Sequence, residues 1–352
     1  MDYEAVELEP NRNAEAYRNY QPTAVPTQTD KFLDFIQFSS DGHLLLGCSN
    51  LTGRYWSGSL WYFLDADAAP DVEKCLTGVE CETGVCDGKF LKDEQRVIVG
   101  EDSGSVQILA LTEAADEHIF HFSPIGSSCE HDDSIVSISV FKDKPRAVSG
   151  SFDTNIKVWD VETLVAEHTY RPAHLHIVTD VAVRPNDEGS VFASCSLDGT
   201  AVLWDTRNTK PASIFLRDGR LTSLAWQPSQ SEIVCVGSES GKVIFVDIRQ
   251  ANQKLSEVAC FKRPLQRLQF DANGINHLAA CSDDSLVRVL DCTDSASPSV
   301  CYTDDRHNDF VRGLAWHPKS NQLYSCGWDK QVLAHNTNIA SPSFIHMEVN
   351  EI

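Results

Sequence analysis

From about residue 31 onward the chain is made of short runs in which apolar and polar residues alternate, and no stretch of comparable length carries an apolar stripe at helical spacing. One unit reads Ile135-Val-Ser-Ile-Ser-Val140, then Ala147-Val-Ser-Gly-Ser151, a turn at Asp153, Ile156-Lys-Val-Trp159, and finally Leu164 to Tyr170. Runs with a period of two, rich in β-branched and aromatic residues and bounded by Asp, Gly and Pro, predict four strands with at most incidental helix. The unit recurs. SGSFDTNIKVWD ends at Asp160, SCSLDGTAVLWD at Asp205 and SGKVIFVD at Asp247. Overlaying the phrases places the Trp159 position at Phe63, Leu109, Trp159, Trp204, Val246, Leu290 and His335, at successive intervals of 46, 50, 45, 42, 44 and 45 residues.

That period, with strand-like text and a Trp-Asp ending, is the signature of WD repeats, each a four-stranded blade. Seven marks predict an all-β, seven-bladed WD-repeat β-propeller, closed around a central channel. The ring is expected over 31–352. Residues 1–30 lack periodicity and hold Pro10, Pro22 and Pro26, so they read as a partly mobile amino-terminal arm. The tail Ser341-Pro-Ser-Phe-Ile-His-Met-Glu-Val349 is strand-like; either it or the arm supplies the outer strand of the last blade.

Charge narrows the partners. Lys+Arg 29 against Asp+Glu 51 gives a net charge of −22, which repels phosphate backbones and favours basic protein segments over nucleic acid. Such a charge also serves solubility. Of the 12 cysteines, Cys195, Cys281 and Cys326 share one place in the repeat, where blade three has Gly150. A recurring small-residue site reads as packing. Cys75, Cys81 and Cys86 lack zinc-ligand spacing, and no Cys-x-x-Cys pair occurs, so no metal is expected. With no apolar leader in the first 30 residues and no run long enough for a membrane span, reduced thiols in cytoplasm or nucleus are expected. The sequon Asn50-Leu51-Thr52 is then unused.

Three polar sets resemble catalytic triads: His131, Ser149 and Asp153; His174, Ser194 and Asp198; His307, Ser325 and Asp329. Their repetition in three blades argues for structure instead. In WD repeats a His–Ser–Asp–Trp set is a buried hydrogen-bond chain, and on this reading only the blades with Trp159 and Trp204 complete it. Full pairing inside a blade stiffens it, whereas a nucleophile needs an open site with an oxyanion hole. No Gly-x-Ser-x-Gly, phosphate loop, Gly-x-Gly-x-x-Gly or His-Glu-x-x-His occurs. No catalytic residue and no cofactor is assigned; the chain offers a binding surface rather than an enzyme's site.

The repeat breaks in blade one, where a short turn is replaced by Cys48-Ser-Asn-Leu-Thr-Gly-Arg-Tyr-Trp-Ser-Gly-Ser-Leu-Trp61. The longer turn carries Arg54, Tyr55, Trp56 and Ser57 onto the face that also holds the links between blades. Trp, Tyr and Arg are enriched at binding hot spots; the alternative is that Trp56 folds back between blades. Leu44 to Trp61 resembles the first blade of the WD-repeat subunit of the methylosome, the partner of the type II protein arginine methyltransferase. Glu130 to Val140, Ser194 to Ser213, Leu221 to Glu232, His307 to Trp316 and Gly327 to Val332 resemble it as well.

The resemblance implies a non-catalytic scaffold that packs against the barrel domain of the methyltransferase in a hetero-octamer, with the counterpart of Trp56 in the contact. It also implies presentation of basic substrates, histones and spliceosomal Sm proteins, in cytoplasm and nucleus. Two rivals stand beside it. Trp204-Asp-Thr-Arg207 and Val246-Asp-Ile-Arg249 look like the Asp-x-Arg boxes of cullin-type ubiquitin ligase receptors, but the motif is common among WD proteins, which favours the reading that Arg207 and Arg249 only anchor their turns. A stand-alone reader of histone tails at the channel mouth is the other.

Overall fold

Alternation with a period of two builds sheets here throughout. The computed structural model describes residues 29–52, 55–113, 120–142, 145–185, 189–271 and 273–337. Within them the strands form seven antiparallel sheets in chain order, the seven-bladed architecture that the period predicts. Blades one to six have four strands each, over 32–81, 85–129, 135–170, 178–217, 221–259 and 265–304, and blade seven, 311–335, has three among the described residues. Blade three shows how close the reading comes, with strands Ile135–Val140, Arg146–Ser151, Ile156–Asp160 and Val165–Tyr170. Two single 3-10 turns, Ala66–Ala68 and Val72–Lys74, are the only helix among the described residues. Most of the arm (1–28) and the tail (338–352) lie outside them.

The first strand of each blade packs against the first strands of its neighbours, and Phe32–Phe38 of blade one against Val311–Trp316 of blade seven. These seven strands therefore surround the channel. In every blade the pairing of first and second strands slips at the same rung, by a bulge at Asp34, Cys86, Val136, Thr179, Thr222, Gln266 and Arg312. A bulge bends its strand and sharpens the twist. Just past it, each second strand carries a small residue. A Cβ at Gly47 would lie 2.0 Å from the Phe35 ring, and one at Gly150 would lie 2.7 Å from Val178 of the next blade. Cys195, Cys281 and Cys326 stand at this rung, fully buried. Burial pushes the Cys281 thiol up to about 12, so it packs as a small apolar group.

Apolar clusters fill the spaces between neighbouring sheets; one joins Phe141, Val148 and Val158 of blade three to Val181, Phe192 and Trp204 of blade four. Polar side chains meet at the channel. Arg267 of blade six reaches Asp87 of blade two at 3.0 Å, and Lys89 reaches the same carboxylate at 2.9 Å. Asp87 also accepts the Ile138 N–H of blade three at 3.0 Å. Ser137 of blade three donates to Asp180 of blade four at 2.6 Å, and Asp180 accepts the Leu224 N–H of blade five at 2.8 Å. Five blades are thereby joined through one network. Burial alone would raise the Asp87 carboxyl, but Arg267 and Lys89 outweigh it and hold it below its ordinary value. Asp180 goes the other way, raised by burial that its partners do not fully offset.

Candidate partner-binding face

The three His–Ser–Asp sets form the same chain in each blade. In blade three, His131 Nδ1 lies 2.8 Å from Asp153 Oδ2 and its Nε2 2.8 Å from Ser149 Oγ, which Trp159 Nε1 approaches at 2.8 Å. In blade four His174 stands 3.2 Å from Asp198 and 2.7 Å from Ser194, with Trp204 Nε1 at 2.8 Å. The proton count closes: Nδ1–H donates to the carboxylate, the hydroxyl donates to Nε2, and the indole N–H donates to the hydroxyl oxygen. Burial holds His174 below its ordinary value despite the pull of Asp198. Ser149 and Ser194 are fully buried, each facing its histidine and tryptophan.

Blade seven corrects the expectation that only two blades complete the chain. His307 lies 2.9 Å from Asp329 and 2.7 Å from Ser325, and His335, on the Trp159 rung, brings Nε2 to 2.7 Å of Ser325 Oγ. Since Ser325 gives its proton to His307, His335 must donate through Nε2–H, as the indole does. Its Nδ1 then accepts from Arg306, 3.2 Å away. A search for tryptophan misses this, because the chemistry needs only a ring N–H at that rung.

The insertion in blade one lengthens a hairpin, pairing Asn50 with Ser57, Leu51 with Trp56 and Thr52 with Tyr55. Arg54 lies outside the described residues. Tyr55 is 78% exposed and Leu51 49%, while Ser57 is half-buried with Oγ 3.5 Å from the Asn50 carbonyl oxygen. Trp56 is half-buried. Its ring centroid is 5.6 Å from that of Phe32, which is 4.8 Å from Trp328, which is 5.4 Å from Phe310. The Arg312 guanidinium lies 5.2 Å over the Trp328 ring. Trp56 is thus one end of an aromatic row running from blade one to blade seven. Phe32, Phe310 and Trp328 were missed in the sequence; the signal was an aromatic at Trp328, on the turn position that holds Leu197 in blade four.

Under this row sits Asp34, which accepts the Trp328 Nε1–H at 3.1 Å and the Ser49 hydroxyl. Burial pushes its carboxyl up to about 6, although both hydrogen bonds and Arg312 oppose the rise. Between pH 4 and 6 the folded chain therefore holds a proton here that the unfolded chain has released, and stability falls as pH rises through that window. Asp34→Asn is expected to melt higher than the parent at pH 7.5 and to lose that advantage only as the pH falls to about 4, below the window in which the two states differ in protonation, as thermal melts at the two pH values would show.

Two further features share the surface. A cleft of about 440 Å3 is lined by Asp132, Asp133, Asp153, Thr154, Asn155, Arg171 and Pro172. Arg207 and Arg249 each grip the aspartate two residues before them, at 2.7 Å from Asp205 and 2.6 Å from Asp247, so both are engaged on their own turns. Among the described residues no group of three or more His, Cys, Asp or Glu is placed to hold a metal ion.

The WD domain, G-beta repeat model matches residues 122–160, 166–205 and 299–335. Each match takes the outer strand of one blade and three strands of the next. Methylosome protein WDR77 of Xenopus laevis is 34% identical over 320 residues, covering 90% of this chain and 92% of the relative. Protein valois of Drosophila melanogaster is 28% identical over 318 residues, covering 86% and 85%. A chain in the crystal structure of a mitotic checkpoint complex superposes with a TM-score of 0.69 at 17% identity, over 95% of this chain and 96% of that one; this likeness concerns the fold alone.

Proposed function

The chain belongs to the family of the WD-repeat methylosome proteins, and from that membership we propose that it is a non-catalytic subunit that holds a type II protein arginine methyltransferase and presents basic substrates to it. The observation that carries the reading is the blade-one hairpin, which places Tyr55 and Trp56 on the propeller face at the end of an aromatic row. Half-buried aromatics with exposed edges and an arginine beside them are what a desolvated protein contact uses. The barrel domain of the methyltransferase is the surface proposed to cover them, within a hetero-octamer.

Substrates are the second half of the proposal. A net charge of −22 attracts cationic tails of histones and Sm proteins at long range and holds them loosely, and the acid-lined cleft beside Asp132 and Asp133 is a place for an arginine side chain to dwell. Work in cytoplasm and nucleus suits twelve free cysteines in a reducing compartment. The engagement of Arg207 and Arg249 within their own turns favours this reading over a ubiquitin-ligase receptor. Co-expression with the methyltransferase followed by size-exclusion chromatography tests it: the two chains are expected to co-elute as one large species with higher histone methylation than the enzyme alone. Separate elution would refute the reading.

A further inference from the structure

Strand Tyr55–Phe63 of blade one begins in the hairpin that carries Trp56 and ends, on the opposite face, in a second insertion. Thirteen residues, 64–76, join it to the fourth strand, where the same connection in blades two to six takes four (161–164) to seven (206–212). Two to five residues suffice to turn a hairpin. The surplus goes sideways, onto blade seven. Ala66 and Ala69 are buried there and share one apolar cluster with Ala315, Tyr324 and Cys326 of that blade. Between them Asp67 accepts the Tyr324 hydroxyl at 2.8 Å, and the Phe38 ring of blade one stands edge-on to Tyr324 at 5.2 Å.

This junction differs from the other six in its connectivity. Consecutive blades are linked by three (82–84) to seven (171–177) residues of chain, whereas blades seven and one come from opposite ends of it, so non-covalent contacts hold them. The two strands that meet at the seam also carry the aromatic row. Strand Phe32–Phe38 has Phe38 at the Tyr324 end and Phe32 at the other, and strand Leu323–Gly327 runs from beside Phe38 into Trp328, 4.8 Å from Phe32. Six residues of extended strand, ~20 Å in all, separate the two ends.

We infer that segment 64–76 is a clasp: by tying Asp67 to Tyr324 it fixes how blades one and seven stand to each other, and through these two strands it sets the spacing of Trp56 and Phe32 against Trp328 and Phe310. Asp67 and Tyr324 are therefore positioning residues for a face they do not touch. The functional half of the inference rests on the reading of that row as the methyltransferase contact.

The full-length chain labelled with 5-fluorotryptophan, its Trp56 and Trp328 signals assigned from Trp56→Phe and Trp328→Phe, tests this by fluorine NMR. Tyr324→Phe and Asp67→Ala each remove one side of the bond and are expected to move the Trp328 signal alike, while the Trp204 and Trp226 signals of blades four and five stay in place. Asp67→Asn keeps the acceptor oxygen and should restore the parent signal. Tyr324→Phe should also weaken methyltransferase binding roughly two- to thirtyfold, the range that substitutions along a coupled network produce. Ser194→Ala, which breaks the buried chain of blade four instead, should leave that affinity unchanged. A Trp328 signal that stays put in both clasp variants would overturn the inference, and so would parental affinity in a Tyr324→Phe chain whose signal has moved. Should the parent itself not bind the methyltransferase, the functional reading falls, and the fluorine signals of the free chain still decide the clasp.

Discussion

Trp56→Ala is expected to cut affinity for the methyltransferase roughly thirty- to several-hundred-fold. Truncating a large aromatic in a desolvated contact costs ~2–4 kcal/mol, and each ~1.4 kcal/mol is tenfold. The structure refines what happens to the free chain. Trp56 is half-buried and leans on Phe32, so its loss removes one aromatic pair, worth ~1 kcal/mol of stability. That is far below the ~3–5 kcal/mol of a large side chain lost from a core. Binding and melting measured on the same preparation separate the two: full-strength binding by a stable variant would remove Trp56 from the interface. A large drop in melting together with binding would place its role between the blades.

Arg267→Met should lower stability by about 3 kcal/mol, at the lower end of what breaking a buried ion pair costs, because the Arg267 side chain keeps 20% exposure while the Asp87 side chain is 1% exposed. The methionine keeps the length of the stem but leaves Asp87 with Lys89 as its one cationic partner, still without a way to reach water. For a domain of this size the midpoint should drop on the order of 5 °C. Asp87→Asn in the same chain removes the stranded charge, so the double variant is expected to lose less than the sum of the singles. Additive losses would show that the two side chains do not share one network.

What could be read in advance varied with range. The blade strands were legible because alternation and turn residues are local, and blade three came within one residue at each boundary named. The His–Ser–Asp sets were legible because they recur. His335 was not recognised as their fourth member, since hydrogen bonding requires a donor at a position rather than a residue type, and a one-letter search for Trp cannot see an imidazole N–H. The hairpin carrying Tyr55 and Trp56 was visible as an insertion. Its neighbours Phe32, Phe310 and Trp328 were not, being brought to it from elsewhere in the chain.

The sequence by itself determined the all-β class, the number of blades and the small-residue rung that Cys195, Cys281 and Cys326 share, since each rests on a pattern repeated every 45 residues or so. Only the tertiary structure decided that Arg267 meets Asp87, 180 positions away, that Asp34 sits half-buried beneath Trp328, and that the face next to the hairpin is aromatic from blade one to blade seven. The physical reason is closure. Pattern along a strand reports which way a side chain points, but which side chains face one another across a channel or over the seam between first and last blades depends on the curvature that brings distant strands together.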